Sequence, residues 1–237
     1  MNFHAPLVPG TLVRRYKRFL ADVRLDDGTV ICAHIANSGA MTGLKEEGLR
    51  VWLSPALNPK RKLAFTWELA EVEGGLVGVN TAHPNAIVAE AIIAGRVPEL
   101  AGYETLKREV PYGENSRIDI LLTAPDRPRC LVEIKNVHLR RPEIGGGCHA
   151  EFPDAVTARG AKHLREMARA VAAGDRAVML YLVQRSDCTH FALASDIDPA
   201  YAGAFAEARA AGVEALCYTC AISTIGLTLD HPLPLAL

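Results

Sequence analysis

No segment of this 237-residue chain reaches the roughly 18 consecutive apolar residues that a membrane helix requires, so no membrane association is expected. The opening MNFHAPLVPG has neither the charged nor the apolar region of a secretory signal, which points to the cytoplasm. Surplus charge is also missing. The formal charge of −1 argues neither for nor against a polyanionic partner. Six cysteines are scattered, and Cys217-x-x-Cys220 is the one close pair. A structural zinc site needs two further ligands at similar spacing, and none lies nearby. The surrounding GVEALCYTCAI reads instead as a buried strand, with thiols reduced in a cytosol. No internal repeat or low-complexity segment is present.

What is there is an ordinary globular composition, 49% hydrophobic and 22% charged, long enough for one large core or two modest ones. Charge is unevenly placed. Residues 1–67 carry ten Lys and Arg against five Asp and Glu, so the amino-terminal third is electropositive. That third reads as all-β. Two strands meet at LDDGT, with Asp27-Gly28 as the hairpin signal, and RVWLSPA, KLAFTWELAEVE and GLVGVN supply further strands, the last after a Gly74-Gly75 turn. About five short strands in a basic segment predict a small OB-like barrel over residues 1–82.

From residue 83 the pattern becomes α/β. NAIVAEAIIAG predicts a helix capped by Asn85 and ended at Gly95. Three strands follow (TLKREVPY, RIDILLT, CLVEIKNV), then a glycine-rich connection, HLRRPEIGGGCHAEFPD. After it come a helix with Ala161, Leu164, Ala168 and Val171 at core spacing, the apolar strand RAVMLYLVQR, a third helix and a final strand.

Strand alternation puts Asp119 on one face of RIDILLT and Glu133 with Lys135 on one face of CLVEIKNV. The linker APDRP is turn chemistry whose prolines should end both strands. Folding the hairpin about Asp126 brings Asp119 opposite Glu133 to within about one residue, where opposed Cβ atoms lie about 4.5–5.5 Å apart. Carboxylates that close repel unless a positive charge stands between them, and Mg²⁺ or Mn²⁺ with the Lys135 ammonium would serve. Phosphodiester hydrolysis suits this set. Asp119 and Glu133 would hold the cation, and Lys135 would orient or deprotonate water. The D-x13-E-x-K spacing is that of PD-(D/E)xK nucleases, with Ile118 in place of the nominal proline.

Other residues have two readings. Glu90, the sole charge in its helix, either faces solvent or enters the site as a third carboxylate; Glu109 ranks behind it. Arg159, His163 and Glu166 share a helix face that is either wet surface or a wall of the site, where Arg159 and His163 would hold phosphate. Arg14-Arg15-Tyr16-Lys17-Arg18-Phe19 reads as a strand able to grip nucleic acid, with Tyr16 or Phe19 stacking a base. Lys60, Arg61 and Lys62 add a second basic cluster, and Arg117 flanks Asp119. HIANSGAM, with Asn37, Ser38 and Gly39, is either a turn or a ligand cup.

PLVPGTLVRRYKRFLADV, AHIANSGAMTGL, GVNTAHPN, GENSRIDILL, VEIKNVHL and FPDAVTARGAKHLREM, in this order, resemble the sugar fermentation stimulation protein A family of bacteria and archaea. The resemblance implies an OB-like domain and a nuclease-like domain, DNA binding with little sequence preference, and a role in regulating sugar (maltose) genes. It also implies that the nuclease motif falls on Asp119, Glu133 and Lys135, with Glu90 as the helix carboxylate. Ile35 and Ala36 replace the family's more usual Cys and Pro, Ala161 a Gln, and His138 a Thr. A non-catalytic DNA-binding regulator and a small-metabolite sensor built on HIANSGAM are the competing expectations; a homodimer stays open.

Overall fold

The computed structural model describes residues 1–58, 60–73, 75–113, 116–142 and 148–236. Alternating apolar residues of the amino-terminal third fold as β1 (Val8–Tyr16), β2 (Leu20–Leu25), β3 (Val30–His34), β4 (Arg50–Pro55), β5 (Phe65–Val72) and β6 (Gly75–Gly78). Their order is β3-β2-β1-β4-β5-β6, and a further β3–β5 pairing, His34 with Thr66, closes an OB-like barrel. Gly28 makes the expected turn at φ 89°, where Asp27 Oδ1 accepts from the Thr29 amide at 2.8 Å. Leu12, Val23, Ile35, Leu53 and Trp67 fill the barrel. Gly74 lies outside the described residues.

The rest of the chain forms α1 (Pro84–Ile93), β7 (Thr105–Tyr112), β8 (Ser116–Ala124), β9 (Arg127–Val137), β10 (Leu139–Pro142), β11 (Cys148–Phe152), α2 (Ala158–Ala172), β12 (Arg176–Val183), β13 (His190–Leu193), α3 (Pro199–Ala210), β14 (Glu214–Ile222), β15 (Leu227–Pro232) and β16 (Leu235–Ala236). A six-stranded sheet runs β15-β14-β12-β9-β8-β7, parallel around β12 and antiparallel at its edges. Val178, Leu180 and Leu182 of β12 pack under α1, while Met179, Tyr181 and Val183 pack under α2 and α3. Burial on both faces explains the unbroken apolar run. This is the α/β order expected. The small sheet β10-β11-β13-β16 was not foreseen. The middle of the glycine-rich connection, 143–147, lies outside the described residues.

Three local expectations are corrected. β1 ends at Tyr16, and Lys17 and Arg18 take left-handed φ of 48° and 62° in a turn, so RRYKRF is not one strand. His83, not Asn85, is the α1 N-cap, with Pro84 in the first turn, where its missing N–H costs nothing. Pro128 does not end a strand; it lies near the start of β9, outside its paired stretch with β12.

Barrel and sheet are joined by main-chain bonds. The Gly78 amide donates to the Gln184 carbonyl at 3.0 Å, Val77 bridges Arg185, and the Gln184 amide donates to Val137 at 3.1 Å.

Candidate functional site

The β8–β9 ladder is antiparallel through Ile120–Val132, and Asp119 follows at its end. There the Ile134 amide donates to Asp119 Oδ2 at 2.7 Å. Glu133 and Lys135 lie on β9 beside it, with Lys135 Nζ donating to Glu133 Oε1 at 2.7 Å. The same oxygen accepts from His163 Nδ1–H at 2.5 Å, while Arg159 Nε–H donates to His163 Nε2 at 3.3 Å. Strand alternation and the one-turn spacing on α2 thus bring Asp119, Glu133, Lys135, Arg159 and His163 to one cleft of about 420 Å³. Arg117 joins Asp119, Arg159 and His163 in an adjoining hollow.

Electrostatics follow from burial. Burial first, and then the Glu133 charge, push Asp119 up to about 6, against the bonds from Ile134 and Asn85. Burial would also raise Glu133, yet the His163 bond and the Lys135 charge hold it below its ordinary range. Glu133 Oε2 is buried with no hydrogen-bond partner. A hard divalent cation fits these donors. It would satisfy Oε2 and relieve the Asp119–Glu133 repulsion. Among the described residues no three His, Cys, Asp or Glu side chains form a preformed cage.

Glu90 is not the third carboxylate. Its side chain is 61% exposed and pairs with the Met1 ammonium at 2.8 Å. Asn85 occupies the helix position that faces the site, donating to Asp119 Oδ1 at 2.9 Å and to Glu109 Oε1 at 2.7 Å. Glu109 has φ 54°, a left-handed backbone that is strained for a side-chain-bearing residue. The order of preference between Glu90 and Glu109 is therefore reversed. The signal lay in Asn85, whose amide reads on sequence as a cap.

The barrel's basic residues do not line the cleft. Arg14 pairs with Asp22 at 2.8 Å and lies over the Tyr16 ring, and the Tyr16 hydroxyl donates to Asp22 at 3.0 Å. Tyr16 is thus tied and covered rather than open to a base. Lys17, Arg18, Arg61 and Lys62 are exposed. Arg61 donates to Thr66 Oγ1 at 3.0 Å. Arg15 turns inward, donating to the carbonyls of Arg18, Asn37 and Gly39. It thereby fixes the Asn37-Ser38-Gly39 turn that forms the barrel's wall of the cleft. Asn37 Oδ1 accepts from the Gly39 amide at 2.8 Å, and a Cβ on Gly39 would stand 2.7 Å from Asp154 Oδ2. His138 also lines the cleft; burial lowers its pKa to about 4.

Comparison with known proteins agrees with this architecture. Residues 13–79 match the SfsA N-terminal OB domain, and residues 82–226 match the sugar fermentation stimulation protein RE domain. The chain is similar to sugar fermentation stimulation protein homologs from Paramagnetospirillum magneticum, 62% identical over 100% of this chain and 98% of that protein, and Rhodospirillum centenum, 61% identical over 100% of both. A solved structure, Pyrococcus furiosus SfsA in complex with Ca²⁺, superposes with TM-score 0.89 at 26% identity, covering 100% of this chain and 98% of that one.

Proposed function

This chain belongs to the sugar fermentation stimulation protein family, and we propose that it is a cytoplasmic DNA-binding protein that cleaves phosphodiesters at the Asp119–Glu133–Lys135 cleft. One observation carries the proposal. Two carboxylates that repel each other share a cleft with a lysine 2.7 Å from one of them, beside an arginine and a histidine. Asp119 and Glu133 would hold a Mg²⁺ or Mn²⁺ ion, and that the Pyrococcus relative is a Ca²⁺ complex supports a divalent cation as the partner of this fold. When bound, the ion supplies Lewis-acid polarisation of a phosphoryl oxygen. Lys135 Nζ orients the attacking water and holds the negative charge that develops on phosphate. Arg159 and Arg117 position the phosphate through charge-assisted bonds. His163 fixes the Glu133 carboxylate rather than touching substrate. Exposed cations of the barrel and of β8 meet the DNA backbone, which gives little sequence preference.

The absence of a preformed three-ligand cage among the described residues favours a second reading, a non-catalytic DNA-binding regulator of sugar (maltose) genes on the same fold. One assay separates the two. Single-stranded, duplex and branched DNA are incubated with Mg²⁺ or Mn²⁺ and either wild type or Lys135→Ala. Metal-dependent cutting that falls by about 10²-fold or more in the variant supports the enzyme. No cutting of any substrate leaves the regulator.

A further inference from the structure

The hollow that adjoins the cleft has a volume of about 380 Å³, and Asp119, Arg159 and His163 border both spaces. Its walls are basic and open. Strand alternation at the start of β8 puts Arg117 on the Asp119 face, and the one-turn spacing of α2 sets Lys162 beside Arg159. All three cations are exposed. Arg117 makes no hydrogen bond or ion pair among the described residues, and Arg159 uses only its Nε–H, on His163. Lys162 stands 3.5 Å from Glu166 yet keeps 49% of its side chain exposed. Two carboxylates face the same hollow. Glu109 is held by the Asn85 amide at 2.7 Å, and Asp119 by the amides of Asn85 and Ile134. With Asp119 turned to the metal of the cleft, three cations stand against one acid, a balance that suits an anion of more than one charge.

We infer that this hollow receives the terminal phosphate of a DNA strand, held by Arg117, Arg159 and Lys162; the inference rests on the DNA-cleaving role proposed above and narrows its substrate to strand ends. A phosphate monoester carries about −1.5 to −2 charges and three acceptor oxygens at neutral pH. An internal diester carries a single charge and two such oxygens, fewer than three cations can pair. The two guanidiniums supply forked donors and the Lys162 ammonium a point charge. Because Asp119, Arg159 and His163 divide the hollow from the cleft, an end held on one side presents the neighbouring phosphodiester to Glu133 and Lys135 on the other. Cleavage then proceeds inward from an end. A 5′-phosphate and a 3′-phosphate offer the same chemistry, and binding separates them.

The test measures equilibrium binding of five-nucleotide dT strands to the full chain in EDTA. The strands carry a 5′-phosphate, a 3′-phosphate, either phosphate capped as its methyl ester, or hydroxyls at both ends. A phosphorylated end is expected to bind about tenfold tighter or more than the hydroxyl strand, and the methyl cap removes most of that gain. The end that gains names the source. Arg117→Ala and Lys162→Ala each cut the gain to about twofold or less. Arg165→Ala, which takes an equal charge from an exposed position of α2 outside the hollow, leaves it intact. Melting temperature checks the fold of Lys162→Ala, and Arg117→Ala breaks no bond among the described residues. Equal binding of phosphorylated and hydroxyl strands overturns the pocket. So does a gain that survives Arg117→Ala, one lost equally in Arg165→Ala, or a methyl-capped end bound as tightly as the free phosphate. Because neither metal nor cutting enters, a chain that holds phosphorylated ends without cleaving loses only the catalytic role. One that cleaves but ignores the end loses only the pocket, and one that binds no strand loses both.

Discussion

His163 Nδ1 stands 2.5 Å from Glu133 Oε1, the oxygen that also receives the Lys135 ammonium at 2.7 Å. The other oxygen has no partner, so one histidine and one lysine carry a buried carboxylate.

Replacing His163 by Ala removes a bond that lowers Glu133. The Glu133 pKa rises, and the acid limb of the cleavage pH profile moves to higher pH. Stability falls by about 1–3 kcal/mol, because a buried acceptor loses its donor. A profile unchanged on the acid side would show that Glu133 does not titrate in the reaction.

Asp119 is raised to about 6 when folded, from an ordinary 3.8. A carboxyl raised in the folded state binds its proton more tightly there than unfolded. Its contribution is present below about pH 4 and disappears as pH climbs through 6, a loss of about 3 kcal/mol. The metal-free melting temperature is therefore expected to drop across that window in wild type and to drop less in Asp119→Asn. Adding Mg²⁺ raises the wild-type melting temperature more at pH 7 than at pH 5. Parallel melting curves for the two proteins would contradict the raised acid.

Glu90→Ala is expected to leave cleavage unchanged and to cost at most about 1 kcal/mol, the worth of an exposed ion pair. Asn85→Ala instead frees Glu109 and Asp119 from the amide between them, and cleavage falls about tenfold or more. A kinetic assay of both variants that found the larger effect at Glu90 would return that residue to the site.

DNA affinity should fall steeply with salt, since each neutralised phosphate releases counterions. Lys62→Ala and Arg117→Ala each lower the log–log slope by about 0.9 on duplex. Arg15→Ala lowers melting temperature instead, because its guanidinium is occupied with carbonyls of its own chain. Titrations at several ionic strengths decide it.

The hairpin carrying Asp119 and Glu133 was legible because period-2 alternation and the Pro125-Asp126 turn fix its register within the chain itself. The orientation of α1 was not. Its sequence is apolar on every side, so no stripe says which flank meets the sheet. Asn85 and Glu90, five residues apart, point about 140° from each other, and sequence favoured the wrong one. RRYKRF failed for a different reason, since left-handed φ at Lys17 and Arg18 is uncommon for long side chains. The sheet of β10, β11, β13 and β16 joins short, mixed-polarity strands from distant parts of the chain, and its pairing is set by neighbours rather than by propensity. Glu166 could be placed on the face of Arg159 and His163, but only the packing of β7 and β8 buries it.

The ladder bonds from Gly78 and Val77 to Gln184 and Arg185 have a mechanical meaning. One rim of the chasm belongs to the barrel and the other to the sheet, and this seam ties the two rims by main-chain hydrogen bonds rather than by linker alone. If DNA is the ligand, it would have to bend or fray to enter an opening braced in this way.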